Sequence, residues 1–303
     1  MKERTDERKE NRSANPLHSS RKCCVFVLLL AAAVSGCGKK ESTALPDLSS
    51  MGEITVISRE EGSGTRTEFE NLVDTTEEGS DVEAESTSEV LSKTLEDENA
   101  IGYLASSALD EESTEGVRIL TVDGVECTDE TVGDGDYPLC REYLLCYTGD
   151  LNDLENDFIS YTRSAGQAVA SEYCVPIKDE EVFVSSLENS AKEGTITISG
   201  SSSMETLMEG LIEGYAQYNP YATIELEITD STQGINAVLE GECDLAMSSR
   251  ALESYEEELL EYKAIAADGI AVIVNEANPL TDISIDRLQK IYDGEVLVWS
   301  DLE

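Results

Sequence analysis

Histidine is almost missing from this chain: of 303 residues only His18 is one. Basic residues are scarce too, with 21 Lys and Arg against 64 Asp and Glu and a formal net charge of −43. A chain this acidic has no positive footprint for a nucleic-acid backbone, so no nucleic-acid partner is expected, and anionic lipid headgroups would repel it unless something anchors it. Long apolar runs are absent: the stretch Cys23–Val34 has twelve residues, against the roughly 20 that a spanning helix needs. The eight cysteines contain no Cys-x-x-Cys pair and the carboxylates no EF-hand spacing, so neither zinc, redox chemistry nor calcium is indicated, and no metal or cofactor is expected. What remains is ample apolar material. With 40% hydrophobic residues and six Pro, the chain can bury a core, and its length suits one large or two modest domains.

The N-terminus changes these numbers. Lys2, Arg4, Arg8, Lys9, Arg12, Arg21 and Lys22 precede the apolar run, and Val34-Ser35-Gly36-Cys37 follows it, the tripartite pattern of an export signal. Val-Ser-Gly-Cys resembles a bacterial lipobox, which makes residues 1–36 a lipoprotein signal peptide and Cys37 the lipidated N-terminus. An ordinary signal with a chance Cys is the alternative. Cleavage before Cys37 leaves 14 basic and 60 acidic residues, a charge of −46, and removes the His. Such a protein can run neither a Ser-His nor a Cys-His mechanism and has no imidazole ligand. The five later cysteines, Cys127, Cys140, Cys146, Cys174 and Cys243, are odd in number and scattered, and are expected to be buried structural thiols.

After a polar tether at 37–51, strands and helices alternate, which predicts an α/β fold with largely parallel sheets. Strands are expected at Ile54–Ile57, Ala100–Leu104, Val117–Val122, Tyr143–Tyr147, Thr195–Ser199, Thr223–Ile228 and Gly269–Asn275, and a surface loop at Thr75–Ser86. Helices are expected through Phe69 and Leu72, at 87–94, at 151–173, around Leu207–Tyr215, through Val238, and at Ser254–Tyr262, whose acidic face reads as solvated. Residues 178–194 read as a linker.

Three segments share one design, a strand, then a turn rich in Gly, Ser and Thr, then the start of a helix: Gly62-Ser63-Gly64-Thr65, Gly200–Ser203 and Ser231–Gly234. Each offers backbone N–H groups and hydroxyls at the positive end of a helix, where an oxyanion is favoured. Any one of them could be an ordinary N-cap. Three together, with Arg59 four residues before Ser63, point to phosphate-like chemistry.

These segments, with Asp244-Leu245-Ala246-Met247-Ser248-Ser249-Arg250, Ala267-Asp268-Gly269-Ile270-Ala271-Val272, Asn278-Pro279, Tyr292-Asp293-Gly294-Glu295, Trp299-Ser300-Asp301, Tyr137-Pro138-Leu139 with Arg141, and Ser164-Ala165-Gly166-Gln167, resemble the phosphate-binding protein of the bacterial phosphate ABC transporter. The resemblance implies a two-lobed, type II periplasmic-binding-protein-like fold with the ligand in the interlobe cleft. It places Arg59, Ser63, Gly64 and Thr65 on the phosphate from one lobe and Ser203, Met204, Ser231 and Ser249 from the other. Where the family carries an Asp that accepts the proton of hydrogen phosphate, this chain has Ser249, which leaves selectivity over sulfate open; Glu61 could substitute or could orient Arg59. The segment order is circularly permuted relative to the family: lobe 2 is expected from 52–135 plus 274–303, with Glu303 near Gly52, and a continuous lobe 1 from 136–273. A truncated tandem protein or mis-called gene is the competing reading of that order. The implied function is that of a monomeric receptor, lipid-anchored through Cys37 on the extracytoplasmic membrane face, that delivers inorganic phosphate to ABC permease subunits. A phosphate sensor, or a receptor for sulfate or molybdate, would use the same fold. A serine hydrolase with Ser63 or Ser203 as nucleophile would need the His, Gly-x-Ser-x-Gly or Lys dyad that the chain after Cys37 lacks.

Overall fold

In a computed structural model, the described residues are 45–109, 114–177, 183 and 192–302. The expected leader 1–36, Cys37, most of the tether, most of the linker 178–194 and Glu303 lie outside them. Among the described residues the strands are β1 (Thr55–Arg59), β2 (Val82–Ala84), β3 (Ala100–Ala105), β4 (Val117–Ile119), β5 (Thr121–Val122), β6 (Cys140–Tyr147), β7 (Val175–Pro176), β8 (Gly194–Ser201), β9 (Ala222–Thr229), β10 (Leu245–Ser248), β11 (Glu261–Asn275) and β12 (Asp282–Ile283).

Eight strands follow one path, β2-β1-β3-β11-β6-β10-β8-β9, with β4 and β7 also pairing with β11. The path divides into two similar halves. In one, β2, β1 and β3 run parallel and β11 closes them antiparallel. In the other, β9, β8 and β10 run parallel and β6 closes them antiparallel. The sheet is therefore more mixed than the alternating pattern predicts, because β6 and β11 pair antiparallel with each other where the halves join.

Apolar packing shows the same division. Residues such as Phe69, Tyr103, Leu139, Val272, Tyr292 and Trp299 form one core, and Tyr143, Phe158, Ile198, Leu211, Met247 and Ile265 form another. The core changes between Leu139, just before β6, and Tyr143 on β6, and between Ile265 and Ile270 on β11. Within the first core the two ends of the described chain meet. Ile54 N donates to Leu297 O at 2.8 Å and Trp299 N to Gly52 O at 3.2 Å, while Phe69 stacks on Tyr103 at 3.9 Å and meets Tyr292 edge-on at 4.8 Å.

Several elements differ from the sequence reading. The helix expected at Ser254–Tyr262 stops at Glu257, and Glu261 already pairs with Tyr147, so this acidic face begins the fifteen-residue β11 instead. Helix 151–173 breaks into Asp153–Thr162 and Gln167–Ala170. Thr75–Ser86 is not all loop, since β2 pairs there with Ile57–Arg59. The five cysteines are free thiols, Cys146 and Cys174 buried and the others half-buried. Burial pushes Cys127 and Cys146 up to about 12 and Cys140 and Cys243 to about 11, which suppresses thiolate reactivity.

Candidate functional site

Each expected site segment follows the end of a sheet strand, and after β1, β8 and β9 the chain turns there into a helix. After β1, Gly62 takes φ +93° and Ser63 caps helix Gly64–Val73, accepting from Arg66 N at 3.4 Å. After β8, the 3₁₀ turn Ser202–Met204 leads into helix Glu205–Tyr218, and the Met204 side chain is buried in the core beneath. After β9, Asp230 caps helix Ser231–Glu240 by accepting from Gln233 N at 2.8 Å. Ser249 follows β10. Gly200 has φ +141°, and helix Ser231–Glu240 comes so close to it that a Cβ on Gly234 would lie 2.6 Å from Gly200 Cα. That close approach sets the first turn of this helix beside the end of β8.

The fold brings these segments together from both halves. Thr65 Oγ1 is 2.7 Å from Ser203 Oγ, Ser201 Oγ is 2.7 Å from Ser249 Oγ, and Ser231 Oγ is 3.4 Å from Ser249 Oγ and accepts from Ser249 N at 3.1 Å. Gly64 faces the same cluster, and a Cβ there would collide with Ser231 Oγ and lie 2.6 Å from Ser249 Oγ. Ser63, Thr65, Ser231 and Ser249 are all almost fully buried. Contacts across the halves continue at Thr232 N to Gly62 O (3.3 Å) and Ala251 N to Glu68 Oε2 (3.2 Å). The hydroxyls that face one another here can each donate or accept, so a tetrahedral oxyanion could replace their mutual bonds with bonds to itself.

Arg59 is buried at the edge of this cluster. Its Nε and Nη2 each donate to one oxygen of Glu60 at 2.8 Å, Nη1 donates to Thr87 Oγ1 at 3.2 Å, and Nη2 reaches Ser202 Oγ at 3.1 Å. The carboxylate that orients Arg59 is thus Glu60, while Glu61 is exposed. Behind Arg59, Tyr103 OH accepts from Arg59 N at 3.3 Å and Arg66 Nη1 donates to Arg59 O at 3.0 Å.

Sequence reasoning missed Glu60, Ser201, Ser202 and a buried group on the strands between the halves, Arg141, Tyr143 and Asp268. Ser201 and Ser202 stood inside a Gly/Ser loop already singled out, and Glu60 beside Arg59, so adjacency was a usable signal. Arg141 and Asp268 are 127 positions apart, and nothing in their local sequence couples them. Among the described residues, no group of three or more Cys, His, Asp and Glu could hold a metal ion.

A family model described as a PBP superfamily domain matches residues 36–165 and 186–303. Phosphate-binding protein PstS 2 of Streptococcus pneumoniae serotype 4 is 35% identical over 279 residues, spanning 88% of this chain and 93% of the relative. PstS 2 of Streptococcus agalactiae serotype V is 32% identical over 285 residues, spanning 89% and 92%. The crystal structure of a phosphate-binding protein of a phosphate ABC transporter from S. pneumoniae TIGR4 superposes with a TM-score of 0.67 at 35% identity, covering 83% of this chain and all of that one.

Proposed function

This chain belongs to the PBP superfamily and, within it, to the phosphate-binding proteins, and from that premise we propose that it receives inorganic phosphate between two lobes and hands it to an ABC permease for import. The observation that carries the reading is the convergence of four strand ends from both halves on one buried hydroxyl cluster, with a guanidinium beside it. Helix N-termini and hydroxyls supply short-range donors, and Arg59 supplies charge and a fork suited to phosphate oxygens. Arg59, Ser63, Gly64, Thr65, Ser203, Met204, Ser231 and Ser249 are the proposed ligand set, with Glu60 orienting Arg59. The net charge of −43 is no obstacle, because exposed charges are screened within about 8 to 10 Å at physiological salt while buried donors are not.

Binding without catalysis is part of the proposal: among the described residues no His, Lys or carboxylate is bonded to Ser63 or Ser203 so as to activate it, and their hydroxyls serve as a helix cap and as a partner of Thr65. We place lobe 1 near 136–273 and lobe 2 in 52–135 plus 274–303, a two-lobe division supported by the separate cores and by the pairing of Gly52 with Trp299, with the crossings drawn in to 139–143 and 265–270, where the cores change. The order of segments is shared with PstS 2, since one alignment spans 93% of that relative; we read that order as a circular permutation within the wider family. Anchorage through lipidated Cys37 on the extracytoplasmic face rests on the leader sequence, and the monomeric state on the family resemblance alone.

Isothermal titration of the purified protein with phosphate, sulfate and molybdate tests the reading. One phosphate per chain, bound more tightly than the other two, is the expected result. Heat from sulfate or molybdate alone would make this a receptor for another oxyanion, and no heat from any of the three would refute an oxyanion site.

A further inference from the structure

Arg141 on β6 and Asp268 on β11 stand directly opposite each other in the ladder that joins the two halves, and both side chains are completely buried. Such a pair is a weak source of net stability, because desolvating two charges roughly cancels their attraction. Its role follows better from what it holds. Arg141 Nε and Nη2 donate to Asp268 Oδ2 at 3.1 and 2.8 Å. Its Nη1 turns to the site, donating to Thr65 Oγ1 at 2.7 Å and to the Ser249 carbonyl at 3.2 Å. Asp268 Oδ1 accepts from Ser106 Oγ and Ser107 N, both at 2.9 Å. The Tyr143 hydroxyl completes the group, 2.7 Å from Asp268 Oδ2 and 3.0 Å from the Ser203 carbonyl.

A guanidinium has only donors. Thr65 Oγ1 therefore accepts a hydrogen from Arg141 and must aim its own proton elsewhere. Its other partner among the described residues is Ser203 Oγ, across the cleft at 2.7 Å. The Thr65 hydroxyl is thus held as a donor into the cleft, the polarity that an ionised oxyanion requires. Thr65 belongs to one half and Ser249 to the other, so Nη1 can reach both only while the halves are together.

We propose that Arg141 is a positioning residue for oxyanion binding: anchored by Asp268 where the halves join, it fixes the Thr65 hydroxyl as a donor and, through the Ser249 carbonyl, couples that orientation to closure. This deepens the phosphate reading above and rests on it. Removing Arg141 alone would strand a buried carboxylate, so the main variant is Arg141→Met with Asp268→Asn, which leaves no lone charge. Arg141→Lys is the second variant, keeping charge opposite Asp268, and with it the fold, while losing the fork.

Phosphate titration is run on the purified protein for both variants, each with Thr65 intact and with Thr65→Val, alongside thermal melting. With Thr65 intact the main variant should lose affinity at least tenfold and Arg141→Lys at least threefold. On the Thr65→Val background both losses should shrink to less than twofold, since the hydroxyl being oriented is gone. A purely structural role would lower the melting temperature and give the same affinity loss on both backgrounds. Equal losses, or unchanged affinity in a folded variant of either kind, would overturn the proposal. A wild-type protein that takes up no phosphate would instead overturn the functional reading beneath it.

Discussion

In the proposed site Arg59 would contribute charge-assisted hydrogen bonds to phosphate, each worth about 1.5 to 3 kcal/mol, from a buried position held by Glu60, Thr87 and the backbone contacts of Tyr103 and Arg66. Arg59→Ala should weaken phosphate binding tenfold or more in a titration while circular dichroism stays unchanged; a folded variant with wild-type affinity would remove Arg59 from the site. A second residue behind it gives a pH prediction. Glu77 is 4% exposed, with Arg66 Nε 3.3 Å from Oε2, and burial pushes its carboxyl up to about 8 despite Tyr103 and Arg66 nearby. The folded state therefore holds this proton more tightly than the unfolded one, whose carboxyl titrates near 4.5. The stability it brings is complete below about pH 4.5 and is lost as pH rises through 8, each pH unit crossed removing about 1.4 kcal/mol. Glu77→Gln needs no proton, so its melting temperature should exceed that of wild type by a margin that grows from pH 5 to pH 8 and then levels off. Parallel pH profiles would contradict this account.

The elements that present the site were the most readable part of the chain. A strand followed by Gly, Ser or Thr and an amphipathic run marks a strand-to-helix turn, because Ser, Thr and Asp cap helices and Gly permits the sharp approach. Sequence pattern did not reveal how close helix Ser231–Glu240 comes to β8. A Cβ on Gly234 would meet Gly200 Cα at 2.6 Å and Ser199 O at 2.7 Å, both backbone atoms. Gly234→Ala should therefore push the helix outward, cost about 1 to 3 kcal/mol of stability in denaturant titration and lower phosphate affinity by displacing Ser231. Unchanged values would mean that the strand yields more easily than its paired position suggests. The misread element is equally instructive. Ser254–Tyr262 has helical composition, yet Glu261 and Tyr262 pair with Tyr147 and Cys146, so ladder hydrogen bonds to β6 outweighed local propensity.

For the whole molecule, the separate apolar packing of the two halves and the β6 and β11 strands between them suit a binding protein whose halves close on a ligand. A net charge of −43 offers no attraction to an anionic membrane, so membrane attachment of this chain needs something else. Multiple acyl chains at Cys37 would supply that attachment, whereas one chain gives only marginal binding. Cys37→Ala should accordingly release the protein to the soluble fraction or leave it unprocessed, as judged by fractionation and mass. Wild-type processing with full membrane retention would exclude the lipobox.

The sequence by itself determined the α/β class, the three strand-to-helix turns and the hydroxyl-rich segments proposed to face an anion, because these are local matters of periodicity, capping and hydroxyl chemistry. Its motifs also carried the family. Only the tertiary structure decided that Glu60 rather than Glu61 grips Arg59, that the hydroxyls of the two halves meet, and that Arg141 and Asp268 share a ladder position beneath them. The reason is physical. Cross-strand register and the approach of two separately packed cores are set by summed burial over the whole chain, and no window of neighbouring residues contains that sum.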